Sequence, residues 1–431
     1  MIPQDRFFIV APVAEGVIAD LRAVLATMTL PGFAGMADPG NAILPFGRFP
    51  EIHFGRFVIL QDHSLIDRAV YPQLPAGEPT YLCFAVDCDG GADDLLQRIA
   101  KICPDLRRVF NFCQDFNAST DLGNWLTLHR VRPAASYVNW LGRSVVQVRE
   151  EAALHAGLLA ALRGATSHGM QDLRLEMLHL VQRNLTKIPP TPWRWRLTDA
   201  LHFIAPILPL ILCLLLAPEV FLAIVIGLML VILLVLRRRE QTDPILPQAL
   251  DPAWTRTLRQ GEDHDVTNQF TAMGSIKPGK VRLGIEKTVL YGINWVARHI
   301  FTQGGLGRIG TIHFAHWVFL DGNRRGVFCS NYDGGHEAYM DDFINKAGFG
   351  LNLAFSSFIG YPQTDWLLAR GAWRERDFKD FQRRHQIPTD VWYKAYPGLT
   401  ARDMARNARI RNGFEREQMS DDEIRRWLAE I

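Results

Sequence analysis

Two apolar runs in the middle of the chain dominate its hydrophobic pattern. They cover residues 201–216 and 220–236, and only Pro218 and Glu219 interrupt them after Ala217. A helix needs roughly 20 apolar residues to cross a ~30 Å hydrocarbon core, so each run is slightly short for a span. Proline breaks helical hydrogen bonding, and a glutamate is costly at mid-bilayer. We therefore predict a transmembrane helical hairpin over 193–240, with its turn at the far interface.

Arginine flanks this hairpin on both outer sides. Arg194 and Arg196 precede the first run, and Arg237, Arg238 and Arg239 follow the second. Positive charge at both ends predicts that both lie on the cytoplasmic side of the inner membrane, with the lipid bilayer as a partner. Two alternatives stay open, a helical pair in a soluble core and a re-entrant hairpin that does not cross. The second run has no charged residue, which argues against a pair of soluble-core helices that expose one face to water.

Two further segments repeat one another on either side of the hairpin. Ile52–Leu60 and Ile312–Leu320 are identical at five of nine positions. Each segment has strand character, yet the side chains that would point to either face of that strand are mostly apolar. An antiparallel strand with one wet face should alternate apolar and polar residues, so both faces of each strand are predicted to be buried.

The repeat extends to the surrounding elements and predicts the fold class. A strand and a helix precede each repeated segment, and a strand, a helix and a fourth strand follow it, with the fourth strands at 108–116 and 351–359. The predicted fold is α+β: two ferredoxin-like βαββαβ units packed as an intrachain pseudo-dimer, with an inserted transmembrane helical hairpin. The predicted domains are unit 1–135, a helical accessory segment and Pro-rich linker 136–192, hairpin 193–240, unit 241–372 and a basic helical tail 373–431.

One helix of the second unit has two interpretations. Residues 281–300 combine a helical apolar period with Trp295, Arg282, Lys287 and Arg298. Such a helix could lie along the lipid headgroups. It could also be the first helix of its unit, packed on its own sheet.

Composition adds few constraints. The formal net charge of the 431 residues is +2, so overall charge does not indicate a nucleic-acid partner. The six cysteines show no C-x-x-C or metal-finger spacing, which favours reduced thiols in a cytosolic compartment. The first residues lack a basic segment followed by a long apolar core, so we expect no cleavable signal peptide there.

Candidate chemistry concentrates in the second unit. His313 and His316 lie on the repeated strand, and Tyr332, Asp333 and His336 follow within 24 residues of His313. We predict His313 as the cofactor ligand, with Asp333, Arg325 and His316 as catalytic polar partners. Asp333 also has a structural interpretation, because an aspartate followed by two glycines suits a strand-to-helix turn. His53 and Asp89 occupy the same places in the first unit, which favours structural roles.

The two repeated βαββαβ units resemble the dimeric α/β-barrel superfamily in its duplicated, single-chain form, which includes dye-decolourising peroxidases and chlorite-dismutase-like haem proteins. The segments 311–320, 330–334 and 390–393 also resemble an uncharacterised family of bacterial membrane-associated proteins, sometimes labelled peroxidase-like. The G-x-x-D-G motif of dye-decolourising peroxidases is matched only in part, because Ser330 replaces its first glycine.

The resemblance implies the barrel fold and, as the cofactor, haem. The function expected is a membrane-anchored, peroxidase-like oxidoreductase acting on an apolar or lipid-derived substrate. The alternative is a non-catalytic membrane protein that binds a lipid or a protein partner through the barrel.

Overall fold

The structure is a computed structural model that describes residues 1–61, 65–181, 185–216, 218–246 and 250–431. It is a mixed α+β fold with antiparallel sheets and two long apolar helices. The strands are β1 Gln4–Pro12, β2 Ile52–Leu60, β3 Tyr81–Asp89, β4 Arg130–Val131, β5 Ala135–Val138, β6 Thr267–Ser275, β7 Ile312–Leu320, β8 Arg325–Asp333, β9 Thr364–Asp365, β10 Ala369–Arg370 and β11 Val391–Lys394. The helices of the first part are α1 Ile18–Ala26, α2 Leu65–Val70, α3 Ala92–Ile102, α4 Arg107–Phe110, α5 Leu122–Leu128, α6 Val145–Gly164 and α7 Met170–Leu180. The remaining helices are α8 Trp193–Leu216, α9 Glu219–Thr242, α10 Pro252–Gln260, α11 Lys280–His299, α12 His336–Phe355, α13 Glu375–His385, α14 Ala401–Phe414 and α15 Asp421–Leu428.

Two sheets form the centre of the molecule. The first has the order β11-β2-β3-β1-β4 and the second has the order β5-β7-β8-β6. They pack face to face through apolar side chains of both, among them Phe8 and Val58 from the first and Val318 and Val327 from the second. Helices cover the outer faces. The burial of β2 and β7 on both faces is therefore confirmed.

Each sheet contains one strand from the opposite part of the chain. Strand β5 precedes the apolar helices but pairs with β7, and Ser136 lies opposite His316. Strand β11 follows the second sheet but pairs with β2, and Trp392 lies opposite Arg56. The accessory segment 136–192, predicted as helical, therefore begins within strand β5. The tail 373–431, also predicted as helical, contains strand β11. Because the strands are exchanged, neither sheet is complete without both parts of the chain.

The predicted fourth strands are wrong. Residues 108–116 form most of α4 and a turn, where only Cys113 bridges to Val13. Strand β4 takes that place beside β1. Residues 351–359 form the end of α12 and a turn, where Phe358 bridges to Ile276 directly after β6, and Gln386 makes a second single-residue bridge to Ala272 of β6. A short apolar run fits a buried helix as well as a buried strand, and here packing decided for the helix.

Helices α8 and α9 are long and apolar enough to cross a membrane. The candidate spans are Trp193–Cys213 and Glu219–Thr242, with mean hydropathy 1.5 and 3.1, and 0% and 6% of their most apolar windows are buried. A pair packed inside a soluble core would be mostly buried, so that alternative is wrong. Ala217, beside the predicted turn, lies outside the described residues.

Helix α11 contacts the polar ends of both apolar helices. Near its C-terminus, Arg298 binds Asp199 of α8 with Nε 2.6 Å from Oδ1, and the Trp295 ring stacks on Phe203 at 5.2 Å. Near its N-terminus, Arg282 binds Asp243, the residue directly after α9, at 2.6 Å. The other face of α11 packs on β5 and α12. The interpretation of α11 as a helix packed on the second sheet is therefore confirmed, whereas its position along lipid headgroups stays a prediction.

Candidate functional site

The predicted ligand His313 and the predicted catalytic residue Asp333 are in direct contact. His313 Nε2 lies 2.6 Å from Asp333 Oδ1, at the adjacent ends of β7 and β8. Oδ1 also accepts a hydrogen bond from Thr267 Oγ1 at 2.8 Å. Oδ2 accepts one from the backbone N–H of Ala401 at 2.7 Å, in the first turn of α14. The carboxylate therefore holds a helix N-terminus against the end of the second sheet, where it also complements the helix dipole.

The first sheet contains a matching pair. His53 Nε2 lies 3.0 Å from Asp89 Oδ1, and Asp89 Oδ2 accepts the backbone N–H of Val145 at 2.8 Å, in the first turn of α6. Helices α6 and α14 then pack against one another. In both pairs the aspartate accepts a backbone N–H from the first turn of a helix, at the same place in each sheet. The geometry therefore favours the structural interpretation of Asp333.

The surroundings of His313 do not fit a haem. Its residue is 1% exposed, and its ring packs between Phe54 at 5.5 Å and Tyr396 at 6.2 Å. A haem ligand needs a free nitrogen and a flat cavity beside it. Here Nε2 is bonded to Asp333. The other ring nitrogen, Nδ1, has no partner among the described residues, but the ring that carries it is packed against Phe54 and Tyr396.

The other two predicted site residues lie elsewhere. His316 points between the sheets, with Nε2 2.7 Å from Asp87 Oδ1 and Nδ1 3.0 Å from Ser136 Oγ. Burial lowers the pKa of His316, although Asp87 acts in the opposite direction. Arg325 begins β8, binds Asp321 and donates to the Pro79 carbonyl at 2.8 Å. A strand advances ~3.3 Å per residue, so Arg325 and Asp333 lie at opposite ends of β8 and do not converge.

Arg56 is the first-sheet counterpart of His316 in register. It donates across the sheet interface to the Phe270 and Ser330 carbonyls, at 2.9 and 3.1 Å. It also donates to Thr271 Oγ1 at 3.0 Å and to Asn331 Oδ1. Sequence reasoning did not select this residue, although an arginine inside an otherwise apolar strand is a signal that a buried partner is required.

Tyr332 and His336, which the sequence grouped with His313, lie on the helix-covered side of the second sheet. The Tyr332 ring stacks on Tyr339 at 3.7 Å, and His336 packs on Phe270 at 5.9 Å. Burial lowers the pKa of His336 to about 2, with Arg383 acting in the same direction. This histidine is therefore a neutral core residue at the pH of a cell.

An apolar cavity of about 410 Å³ lies on the outer face of the second sheet. It is a half-open cleft bordered by α11, α12, the ring of Trp317 and the loop 301–309, and its wall is almost entirely carbon. Ligand sites in proteins typically measure about 300–1,000 Å³, so this cavity is large enough for a small apolar ligand or one chain of a lipid. Its main lining residues are Val289, Ile293 and Val296 of α11 with Phe343, Leu351 and Phe355 of α12.

Glycines and a helix kink form part of the wall of this cavity. A Cβ added at Gly292 or Gly350 would meet no atom within 4 Å. Helix α12 departs from helical geometry at Ala347, where φ is −138°. A haem on His313 would need a cavity between the sheets, and the interface there is filled by side chains. A sequence signal for the cavity is the glycines inside α11 and α12, because a glycine lowers helix propensity and adds no side chain to fill space.

No family model, curated protein or solved structure matches this chain. The candidate site is therefore interpreted from its geometry and chemistry.

A second cavity, of about 240 Å³, adjoins the C-terminal end of α9. Its charged lining residues are Lys277, Arg282, Arg374, Glu240, Asp243 and Asp377. Basic and acidic groups are equal in number, and Asp243 is bonded to Arg282 at 2.6 Å. This balance does not favour an anion over a cation.

Glu286 lies on α11 between the polar cavity and the apolar one. Its residue is 1% exposed, and neither carboxylate oxygen has a well-formed hydrogen bond among the described residues. Burial raises the pKa of Glu286 to about 8 from 4.5, although Ser357 and Arg282 act in the opposite direction. The carboxyl group is therefore mostly protonated at neutral pH.

This shift predicts a pH dependence of stability. The folded protein holds a proton on Glu286 that the unfolded chain releases, so stability should fall as pH rises from about 4.5 to about 8. Glu286→Gln should remove this contribution and flatten the profile of the urea unfolding midpoint in that range. Glu337→Gln, at an exposed position on α12, is the control. Equal slopes in native protein and E286Q would contradict the prediction.

Proposed function

We propose that this protein is a membrane-anchored binding protein that holds one acyl chain of a bilayer lipid in the cavity between α11 and α12. The observation that carries the proposal is the position of α11. The same helix forms one wall of the apolar cavity and contacts the polar ends of both α8 and α9. An acyl chain that moves from a bilayer into an adjoining apolar cavity keeps its apolar surface out of water.

The contacts of α11 also support the predicted transmembrane hairpin. Asp199 and Asp243 meet α11 at Arg298 and Arg282, which are 16 residues apart and so about 24 Å apart along the helix. If both apolar helices cross the bilayer, their polar ends therefore emerge on the same side, beside the sheets. The flanking arginines favour the cytoplasmic side.

The paired features of the two sheets support an origin by duplication of a ferredoxin-like unit. Strands β1, β2, β3 and β4 have the ferredoxin-like order, and β6, β7 and β8 repeat that order without a full fourth strand. The His–Asp pairs occur at the same place in both sheets. The exchanged strands pair in matching register.

Filling the cavity should prevent binding. Gly292 borders the cavity, whereas Gly284 lies on the same helix, does not border it and has equally open space around its Cβ position. Gly292→Phe should lower occupancy about tenfold, which corresponds to about 1.4 kcal/mol. Gly284→Phe changes helix propensity in the same way and should leave occupancy unchanged.

The measurement is photocrosslinking in nanodiscs made from a phospholipid that carries a diazirine at the end of one acyl chain. Mass spectrometry should locate adducts on the lining residues Ile293, Phe343 and Leu351 in native protein and in G284F. The proposal is wrong if native protein gives no adducts there, or if G292F gives as many as G284F.

A further inference from the structure

A short hairpin beside the end of α9 has an unusual tip. Strands β9 and β10 are joined by Trp366, Leu367 and Leu368. The Trp366 and Leu368 residues are 45% and 56% exposed. Trp366 and Leu367 have φ of +55° and +60°. Turns with these dihedrals normally carry glycine or asparagine, because a bulky side chain is strained there.

Glu240 of α9 holds this tip in place. Its Oε2 accepts the backbone N–H of Trp366 at 2.8 Å, and its Oε1 accepts that of Leu367 at 2.8 Å. Oε1 also accepts Thr364 Oγ1 at 2.7 Å, and the Glu240 carbonyl accepts Gln363 Nε2 at 2.7 Å. Residues at sparsely populated dihedrals cost about 1–3 kcal/mol each and persist only where the surroundings determine them. The carboxylate of a buried glutamate supplies that constraint.

The same contacts fix the position of the hairpin along the axis of α9. The apolar run of α9 ends at Leu236, and Glu240 lies four residues later, about 6 Å farther along the helix. Arg237, the first residue after the run, has its guanidinium carbon 5.7 Å from the centre of the Trp366 ring. If α9 crosses a bilayer, Trp366 is therefore at the level of the lipid headgroups, where tryptophan is enriched in membrane proteins.

We propose that the hairpin Thr364–Arg370 is an interfacial anchor that places Trp366 and Leu368 in the headgroup region of the bilayer. This proposal rests on the crossing of α9 but not on a ligand in the cavity. The partner that we propose for the hairpin tip is a lipid bilayer, because an exposed tryptophan and leucine adjoin the end of a membrane-spanning helix. The hairpin leads into the turn 371–373, whose Ala372 N–H donates to Asn352 of α12 at 2.8 Å. The anchor is thus attached both to α9 and to the helix that lines the cavity.

Nitroxide accessibility in nanodiscs of phosphatidylcholine and phosphatidylglycerol tests this proposal. Single cysteines would be introduced as Leu368→Cys, Leu228→Cys in the middle of α9 and Leu128→Cys at the end of α5, each in a Cys213→Ser background. The other five cysteines are buried, and burial raises their pKa values, so they should not react with the label. Leu128 is the matched control because it is 82% exposed and lies in the first-sheet layer.

Oxygen concentrates in the bilayer, whereas a charged nickel chelate stays in water. The ratio of collision rates with oxygen and with the chelate should be severalfold higher at L368C than at L128C, and highest at L228C. A ratio at L368C equal to that at L128C, with L228C still high, would overturn the anchor and leave the crossing of α9 intact. Low ratios at both L368C and L228C would overturn the membrane assignment itself. In E240Q/L368C the ratio should fall toward that of L128C, because the tip loses the carboxylate that holds it.

Discussion

Replacing Asp333 with alanine is expected to lower the free energy of unfolding by several kcal/mol, because each buried donor that loses its acceptor costs about 1–3 kcal/mol. The change leaves His313 Nε2, the Thr267 hydroxyl and the N–H of Ala401 without their acceptor. It also releases the N-terminus of α14 from the second sheet. Urea unfolding of the detergent-solubilised protein, followed by circular dichroism, measures the loss.

Two variants control this prediction. Asp89→Ala should cost less, because Asp89 accepts from His53 and the N–H of Val145 but has no counterpart of the Thr267 bond. Asp341→Ala removes an exposed carboxylate that binds Lys379, and such pairs contribute only about 0–1 kcal/mol. If D333A unfolds at the same urea concentration as D341A, Asp333 is not a structural residue, and the catalytic interpretation would regain support.

Replacing Arg56 with methionine should weaken the contact between the two sheets. A buried acceptor that loses its donor costs about 1–3 kcal/mol. Arg56 donates to four acceptors, two of which are carbonyls of β6 and β8. A third, Asn331 Oδ1, still accepts from Trp392 Nε1 at 2.9 Å. We expect a loss of several kcal/mol in the free energy of unfolding. Methionine keeps the apolar stem of the side chain, so the loss of unfolding free energy can be attributed to the guanidinium group.

Hydrogen exchange locates this effect. Amide protection should fall in β6 and β8, where the Arg56 acceptors lie, and remain near native in α14 and α15. Arg48→Met, at an exposed position in the turn before β2, should change neither the stability nor the exchange. Uniform loss of protection throughout R56M would mean that Arg56 stabilises the whole fold and not the sheet interface in particular.

The sequence predicted the elements with strong periodicity. Strands β2 and β7 were correct because nine consecutive residues with two apolar faces leave few alternatives to a doubly buried strand. The apolar helices were correct because their length and composition alone set them apart. The fourth strands failed because β4 has two residues and the bridge at Gln386 is shorter still, too few to show any period.

The candidate site was predicted less well. The contact between His313 and Asp333 follows from adjacent strand ends, and the sequence grouped the two correctly. Arg325 was grouped with them by its position in the sequence, yet an antiparallel hairpin carries the start of β8 away from its end. The apolar cavity depends on α11 and α12, which meet only in the folded chain.

The sequence by itself therefore determined two apolar helices, two doubly buried strands and a mixed α+β fold, since length, composition and period express burial locally. Only the tertiary structure decided that β5 joins the second sheet and β11 the first, and that the His–Asp pairs bind helix N-termini. It also decided that the cavity lies between α11 and α12. Each of these depends on donors, acceptors or apolar surface supplied by distant segments, and no local pattern records which segment will supply them.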